Sequence, residues 1–274
     1  MKLPFLLSAA LFGTLLASPV AWSEDDPTNS RFSIMVGGFW PDVDTTARAD
    51  GDGGRVGTSI DFESDLGLDD RDALFTGGLS FRLAKRHYFD LLYFKLARNG
   101  VKTIDLEIDW KDQHFERQAN IDSFFDTEVL RLSYGYAFVD NDRHRLLGQF
   151  GVHYTRVSAG LQPQTTQVQG VSVEADTDVP LPVFGLDYTF AITDKLLLNA
   201  RAQLFRLEFE GIDGALDNLS LNLNYSFTPR IGAFIGYNYY SIDVDADADH
   251  WKGSFDFNYY GPWIGVVVGL GEAP

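Results

Sequence analysis

ALDNLSLNLNYSF, residues 215–227, alternates apolar and polar side chains from Asn218 onward. Leucine and aromatic residues hold the odd positions from Leu219 to Phe227, whereas asparagine and serine hold the even positions. A period of two indicates a β-strand, because successive side chains of a strand point to opposite faces. The polar face carries only small uncharged residues, which suit a confined interior better than an open water surface.

Other segments repeat this alternation: FTGGLSFRL (75–83), LLGQFGVHYT (146–155) and LLLNARAQLF (196–205). Each is about as long as the 9–11 residues that a tilted strand needs to cross a bilayer. A water-soluble sandwich or barrel would place charged residues and threonine on its outer polar face, and in residues 215–227 that face holds asparagine and serine. The pattern therefore favours a transmembrane barrel with its apolar face on lipid and its polar face on the lumen.

Three segments end in nearly the same way: YGYAFVDNDRH (134–144), YTFAITDK (188–195) and YSFTPR (225–230). Each places aromatic residues at positions i and i+2 of the apolar face and then breaks into a short polar turn. Rings at one depth are typical of an interfacial aromatic belt, and short turns are typical of the periplasmic edge of such barrels.

Ten alternating segments predict an all-β protein, a transmembrane antiparallel up-and-down β-barrel of about ten strands. The long loops 41–72, 99–122 and 159–180 are predicted to lie outside the cell, opposite the short turns. VKTIDLEID (101–109) could extend a hairpin above the membrane, so eight and twelve strands are the alternatives.

The N-terminus carries one lysine, an apolar run and the small-x-small sequence Ala21-Trp22-Ser23. This predicts a secretory signal peptide over residues 1–23 and a single barrel domain over 24–274. The net charge of −17 argues against nucleic-acid binding, and the absence of cysteine excludes a disulfide framework and a thiol nucleophile.

The last strand, WIGVVVGL (263–270), alternates hydrophobic residues in the manner of a barrel-assembly signal, although it ends in Leu270 and GEAP rather than an aromatic residue. With the signal peptide and the belts, the chain resembles the small single-chain outer-membrane β-barrel proteins of Gram-negative bacteria. TSIDFESDLGLDD (58–70) resembles a loop of uncharacterised members. The resemblance implies the outer membrane as location, and as partners its lipid and lipopolysaccharide and the barrel assembly machinery; it implies no oligomeric state.

Charged residues on the polar faces predict a hydrogen-bonded network in the lumen. Its members are Arg31, Arg82, Asp90, Arg131, His153, Asp187, Arg201 and Asp256. Eight strands are just filled by side chains, and ten lie close to that limit. The predicted function is therefore a structural or interaction role for a largely filled barrel, with a narrow porin or small-solute conduit as the alternative.

A third hypothesis is an outer-membrane hydrolase, which needs an acid–base or nucleophile cluster near the outer rim. The five histidines show no Ser-His-Asp or His-Asp spacing, and His153 is predicted to be a hydrogen-bonded lumen residue. The sequence thus predicts no enzymatic activity and no catalytic residue.

SIDVDADADHW (241–251) places Asp243, Asp245, Asp247 and Asp249 on one strand face beyond the outer belt. One hypothesis is that these carboxylates share Ca²⁺ or Mg²⁺ with lipopolysaccharide phosphates. The alternative is a solvated hairpin tip, because alternate carboxylates lie roughly 6–7 Å apart and enclose a cation poorly. Loop 41–72, with ten carboxylates and three arginines, lacks the EF-hand ligand pattern, and no other cofactor is predicted.

Overall fold

The computed structural model describes residues 26–51, 54–164, 173–209, 211–248 and 251–272. The predicted signal peptide and Asp249 lie outside the described residues. The described chain forms one large antiparallel sheet and one small hairpin. The strands are β1 (Phe32–Phe39), β2 (Asp42–Ala49), β3 (Ile60–Asp61), β4 (Leu74–Ala84), β5 (His87–Thr103), β6 (Ile108–Trp110), β7 (Gln113–Phe115), β8 (Asn120–Asp140), β9 (His144–Pro163), β10 (Val173–Ala191), β11 (Leu196–Phe209), β12 (Ile212–Thr228), β13 (Ile231–Ala248) and β14 (Trp251–Leu270).

Ten of these strands close into a ring, as predicted. Their order is β1-β4-β5-β8-β9-β10-β11-β12-β13-β14, and β1 pairs with β14 to complete the barrel. Residues 85–86, 141–143, 192–195 and 229–230 form the short connections. Both ends of the ring, at Phe32 and Leu270, lie at the same end as these turns. We call it the turn end and the opposite one the loop end.

The first two strands behave as one long strand that is interrupted at Trp40 and Pro41. β1 pairs with the turn-end half of β14, and β2 pairs with the loop-end half in the same register. The Trp40 N–H donates to the Pro262 carbonyl at 3.1 Å and bridges the interruption. At the loop end, the free side of β2 pairs with the two residues of β3 and, through an isolated bridge, with Arg71, because β4 begins at Leu74. The wall between β2 and β5 therefore lacks a full-length strand there.

Apolar side chains change face part-way along the long strands. On β8, Leu130 and Leu132 point outward, 39% and 53% exposed, whereas Ile121 and Phe125 point inward and are 1% exposed. The same change occurs in β13, where Tyr237 is exposed and Ile242 is buried. The turn-end part of the barrel is therefore apolar outside and polar inside, and the loop-end part is polar outside and apolar inside.

The reversal shows where the apolar belt ends. β8 has 21 residues and β9 has 20, about twice the 9–11 that a bilayer needs. The prediction of long outer loops was therefore wrong in part. Residues 99–103 and 120–122 continue β5 and β8, residues 159–163 and 173–180 continue β9 and β10, and loop 41–72 contains β2 and a segment that folds into the mouth of the barrel.

The turn end is covered from inside by the segment that precedes β1. Pro27–Asn29 forms a short 3-10 helix, with Asp26 as its N-cap. The Ser33 hydroxyl donates to the Pro27 carbonyl at 2.7 Å and holds the helix against the wall. In the part of the chain that the structure describes, no helix is long and apolar enough to cross a membrane.

Candidate functional site

The centre of the lumen is a hydrogen-bonded layer around Gln203. The Gln203 amide nitrogen donates to Ser133 Oγ at 3.1 Å and to Gln149 Oε1 at 3.2 Å. Its amide oxygen accepts from Asn218 Nδ2 at 2.9 Å and lies 3.2 Å from His153 Nε2. All five side chains are buried. Three strands, β8, β9 and β12, thus place polar groups on one residue of β11.

An ion-pair group adjoins this layer on β5, β10 and β11. Arg201 Nε donates to Asp187 Oδ2 at 2.6 Å, and its terminal nitrogen lies 3.8 Å from Asp90. Asp187 also accepts from Asn199 at 2.7 Å, and Asp90 accepts from the Ser80 hydroxyl at 2.6 Å. Each buried charge therefore has the partners that it needs.

A second charged group closes the turn end. Asp140 lies 3.2 Å from both Arg82 and Arg145, and the Asn29 side-chain oxygen accepts from both guanidinium groups. Burial raises the pKa of Asp26, against the lowering effect of the hydrogen bonds from Thr28. The segment before β1 is therefore joined to the barrel wall by side chains of β4 and β9, and Asp140 of β8 contacts both of them.

Towards the loop end the lumen is filled by aromatic rings. His153 stacks on Tyr240 with ring centroids 5.8 Å apart, and Tyr240 stacks on Tyr259 at 4.8 Å. Beyond them, Phe125 packs against Phe257 and Phe62, each with centroids 5.5 Å apart. These rings form an apolar layer in the loop-end part of the lumen.

Residues 60–73, which we call the inserted segment, supply part of that layer. Ile60, Phe62 and Leu66 are at most 1% exposed. The segment lies where β4 is too short to separate β2 from β5, and its apolar side chains replace the missing wall. The hairpin of β6 and β7 covers it, with Trp110 edge-on to Phe62.

One buried arginine fixes the inserted segment. Arg98 of β5 is 2% exposed and contacts Glu63, the Thr45 hydroxyl at 2.6 Å and the Asp69 carbonyl at 3.3 Å. Its guanidinium also lies over the Phe125 ring at 5.2 Å.

The structure brings most of the predicted network inside. Arg82, Asp90, Arg131, His153, Asp187 and Arg201 lie on inward positions. Two predicted members do not. Arg31 precedes β1 and is exposed at the rim of the turn end, because the strand begins only at Phe32. Asp256 points outward, because it shares the even phase of Tyr260 and Ile264 and pairs with Asp243 across the strands.

Three of the four regularly spaced aspartates are described, and all three are exposed on the outer face of β13. Asp247 lies 2.8 Å from Lys252 Nζ, so its nearest charged partner is an ammonium group. Within the described ranges no group of three or more His, Cys, Asp or Glu side chains is arranged to hold a metal ion.

Several residues of the site were not predicted. Gln149, Gln203 and Asn218 lie on the polar faces already quoted, but the sequence does not show which of these amides meet across the lumen. Arg98 and Glu63 were missed because loop 41–72, which contains the inserted segment, was predicted to lie outside the cell rather than in the barrel interior. The hydrophobic residues of the inserted segment, which lie between its aspartates, were the sequence signal that could have indicated a buried segment.

The ring, its outer belt and its filled interior define an outer-membrane β-barrel fold. The outer-membrane protease OmpT of Escherichia coli superposes with a TM-score of 0.55 at 10% identity, over 87% of this chain and 96% of that one. The translocator domain of the autotransporter NalP of Neisseria meningitidis gives a TM-score of 0.49 at 12% identity, over 88% and 89%. These likenesses concern the fold alone. Of these two structures, OmpT, with its TM-score of 0.55, supports the barrel fold.

The profile of one sequence family, described as "Protein of unknown function, DUF481", matches residues 110–258. The chain belongs to this family. The match runs from β6 to β14 and so includes most of the polar layer. No curated protein matches the sequence.

Proposed function

We propose that this protein is a closed outer-membrane barrel that acts through its exposed surface and does not conduct solutes. The observation that carries the proposal is the pair of stacked layers in the lumen. The Gln203 layer fills the section inside the belt, and the aromatic layer fills the section beyond it. A solute would have to displace both layers, and the second is held by the buried Arg98.

The proposal places the turn end in the periplasm and the loop end outside the cell. Support comes from the short turns and paired termini at one end, which are typical of bacterial barrels, and from the signal peptide predicted for the precursor. The lipid and lipopolysaccharide of the outer membrane are then the surroundings of the belt and of the loop-end wall. Epitope tags at Gly51 and Asp142 on intact cells test this orientation, and surface labelling at Asp142 alone would reverse it.

Planar-bilayer recording tests the closed state. The purified barrel is expected to give no steady channel at neutral pH. The matched variant removes residues 60–73 and replaces Gln203 by glycine, so that both lumen layers lose side chains. Its conductance is compared with that of the unmodified barrel after circular dichroism has shown that the variant is folded. Steady conductance of the unmodified protein would instead support the narrow conduit.

A hydrolase is the second candidate, because one histidine–carboxylate pair lies at the loop end. His114 Nδ1 is 3.0 Å from Asp109 Oδ1 across the β6–β7 hairpin, and both side chains are partly exposed. Arg55 competes for the same carboxylate oxygen at 3.3 Å, which favours an ion-pair role over general-base chemistry. We therefore propose no catalysis. Protease or lipase activity that is lost in His114→Ala and kept in the outward-facing variant Arg156→Gln would overturn this.

A further inference from the structure

A small cavity of about 30 Å³ lies in the lumen between the polar and the aromatic layers. Residues that line it include Arg131, Ser220, Asn238, Thr76, Phe94 and Tyr259. None of its lining residues is acidic. Its polar groups come from opposite walls, because Arg131 belongs to β8 whereas Ser220 and Asn238 are a cross-strand pair of β12 and β13.

Arg131 differs from the other arginines of the interior. Arg82 and Arg145 reach Asp140, Arg201 reaches Asp187, and Arg98 reaches Glu63. For Arg131, the described structure contains no carboxylate within 4 Å, and its buried Nε has no hydrogen-bond partner. Asp90 attracts this guanidinium only from beyond 4 Å, so the cost of desolvating it is not offset by direct contact with a counter-charge.

We propose that the cavity binds a small monovalent inorganic anion, with chloride as the abundant example. The Arg131 guanidinium, the Ser220 hydroxyl and the Asn238 amide are all able to donate hydrogen bonds to it. A polyatomic anion is too large, because a space of this volume holds about two water molecules.

Thermal unfolding in detergent tests the proposal, with sodium chloride compared with sodium gluconate at equal ionic strength. Chloride is expected to raise the melting temperature of the unmodified protein by at least about 3 °C, since binding to the folded state alone stabilises it. The difference should disappear in Arg131→Gln and shrink in Ser220→Ala. It should persist in Arg156→Gln, which removes a cation from the outer face.

Crystals soaked in sodium bromide give an independent measurement. An anomalous peak in the cavity beside Arg131 would support the site even if Arg131→Gln fails to fold. Equal melting temperatures in chloride and gluconate, together with bromide-soaked crystals that show only water in the cavity, would overturn the proposal.

Discussion

The two halves of the lumen solve the same problem with opposite chemistry. In the turn-end half, inside the apolar belt, Gln203, Arg201 and their partners fill the interior with hydrogen bonds and ion pairs. In the loop-end half, Phe62, Phe125 and Phe257 fill it as a hydrophobic core. The outer face explains the difference. Where lipid surrounds a strand, its apolar residues face outward and the alternating polar residues face the lumen. Where water surrounds the strand, its polar residues face outward and the alternating apolar residues face the lumen.

The largest effect is expected in the apolar half. Phe125→Ala removes a ring that is 1% exposed and contacts three other aromatic side chains. The cavity should lower the free energy of unfolding by about 3–5 kcal/mol, measured by denaturant titration in detergent. Phe75→Ala is the control, because Phe75 is 84% exposed on the outer face. Equal losses for the two variants would show that the loop-end half is not a core.

The polar half gives the next effect. Gln203→Leu keeps much of the side-chain volume but leaves four buried partners without their shared amide. We expect a loss of about 2–4 kcal/mol in the same titration, since unpaired buried polar groups each cost about 1–3 kcal/mol. Asn224→Leu is the matched control at an inward position outside this hydrogen-bonded layer. If the Gln203→Leu variant were as stable as the unmodified protein, hydrogen bonds would not stabilise the turn-end half, and the contrast between the two halves would be wrong.

The smallest effect concerns the contact between the inserted segment and the wall. Arg98→Met deletes the hydrogen bonds to Thr45 and to the Asp69 carbonyl together with the ion pair to Glu63. Trypsin should then cleave after the exposed Arg71 about ten times faster, which corresponds to a local opening that is easier by about 1.4 kcal/mol. Lys102→Met, which removes an exposed contact to the Ser64 carbonyl, is expected to change the rate little. Equal rates for both variants would contradict the role of Arg98.

The sequence predicted the ring of ten strands and the lipid-facing phase because both depend on local alternation. Leu219, Leu221 and Leu223 are exposed on the outer face as expected. The same alternation also shows the point along a strand at which the apolar residues change from the outer face to the inner face. On β14, Phe255, Phe257 and Tyr259 hold the odd phase, and Ile264 and Val266 hold the even phase. The odd-phase rings were not recognised as a separate core, because the strands were expected to end at the belt.

The side-chain partners could be predicted less well than the faces. Arg201 and Asp187 were correctly placed inside, and they are register neighbours on β10 and β11. Asp256 was placed inside although its phase matches Ile264, so a stricter count of the alternation would have avoided that error. Contacts across the lumen, such as Gln203 to Ser133, depend on the tilt and diameter of the ring, which the alternation of a single strand does not contain.

The closure of the ring has a consequence for biogenesis. β1 is the first of the described strands and β14 is the last of them, yet the barrel has no sealed wall until these two pair. Until then both strands present unpaired backbone edges, which readily pair with other chains. The interior layers draw on residues of β5, β8, β9, β11, β12 and β14, so they cannot be completed before the C-terminal strand arrives. Contacts of this sequence separation form slowly. A chain truncated before Trp251 would therefore lose the whole barrel rather than one strand of it.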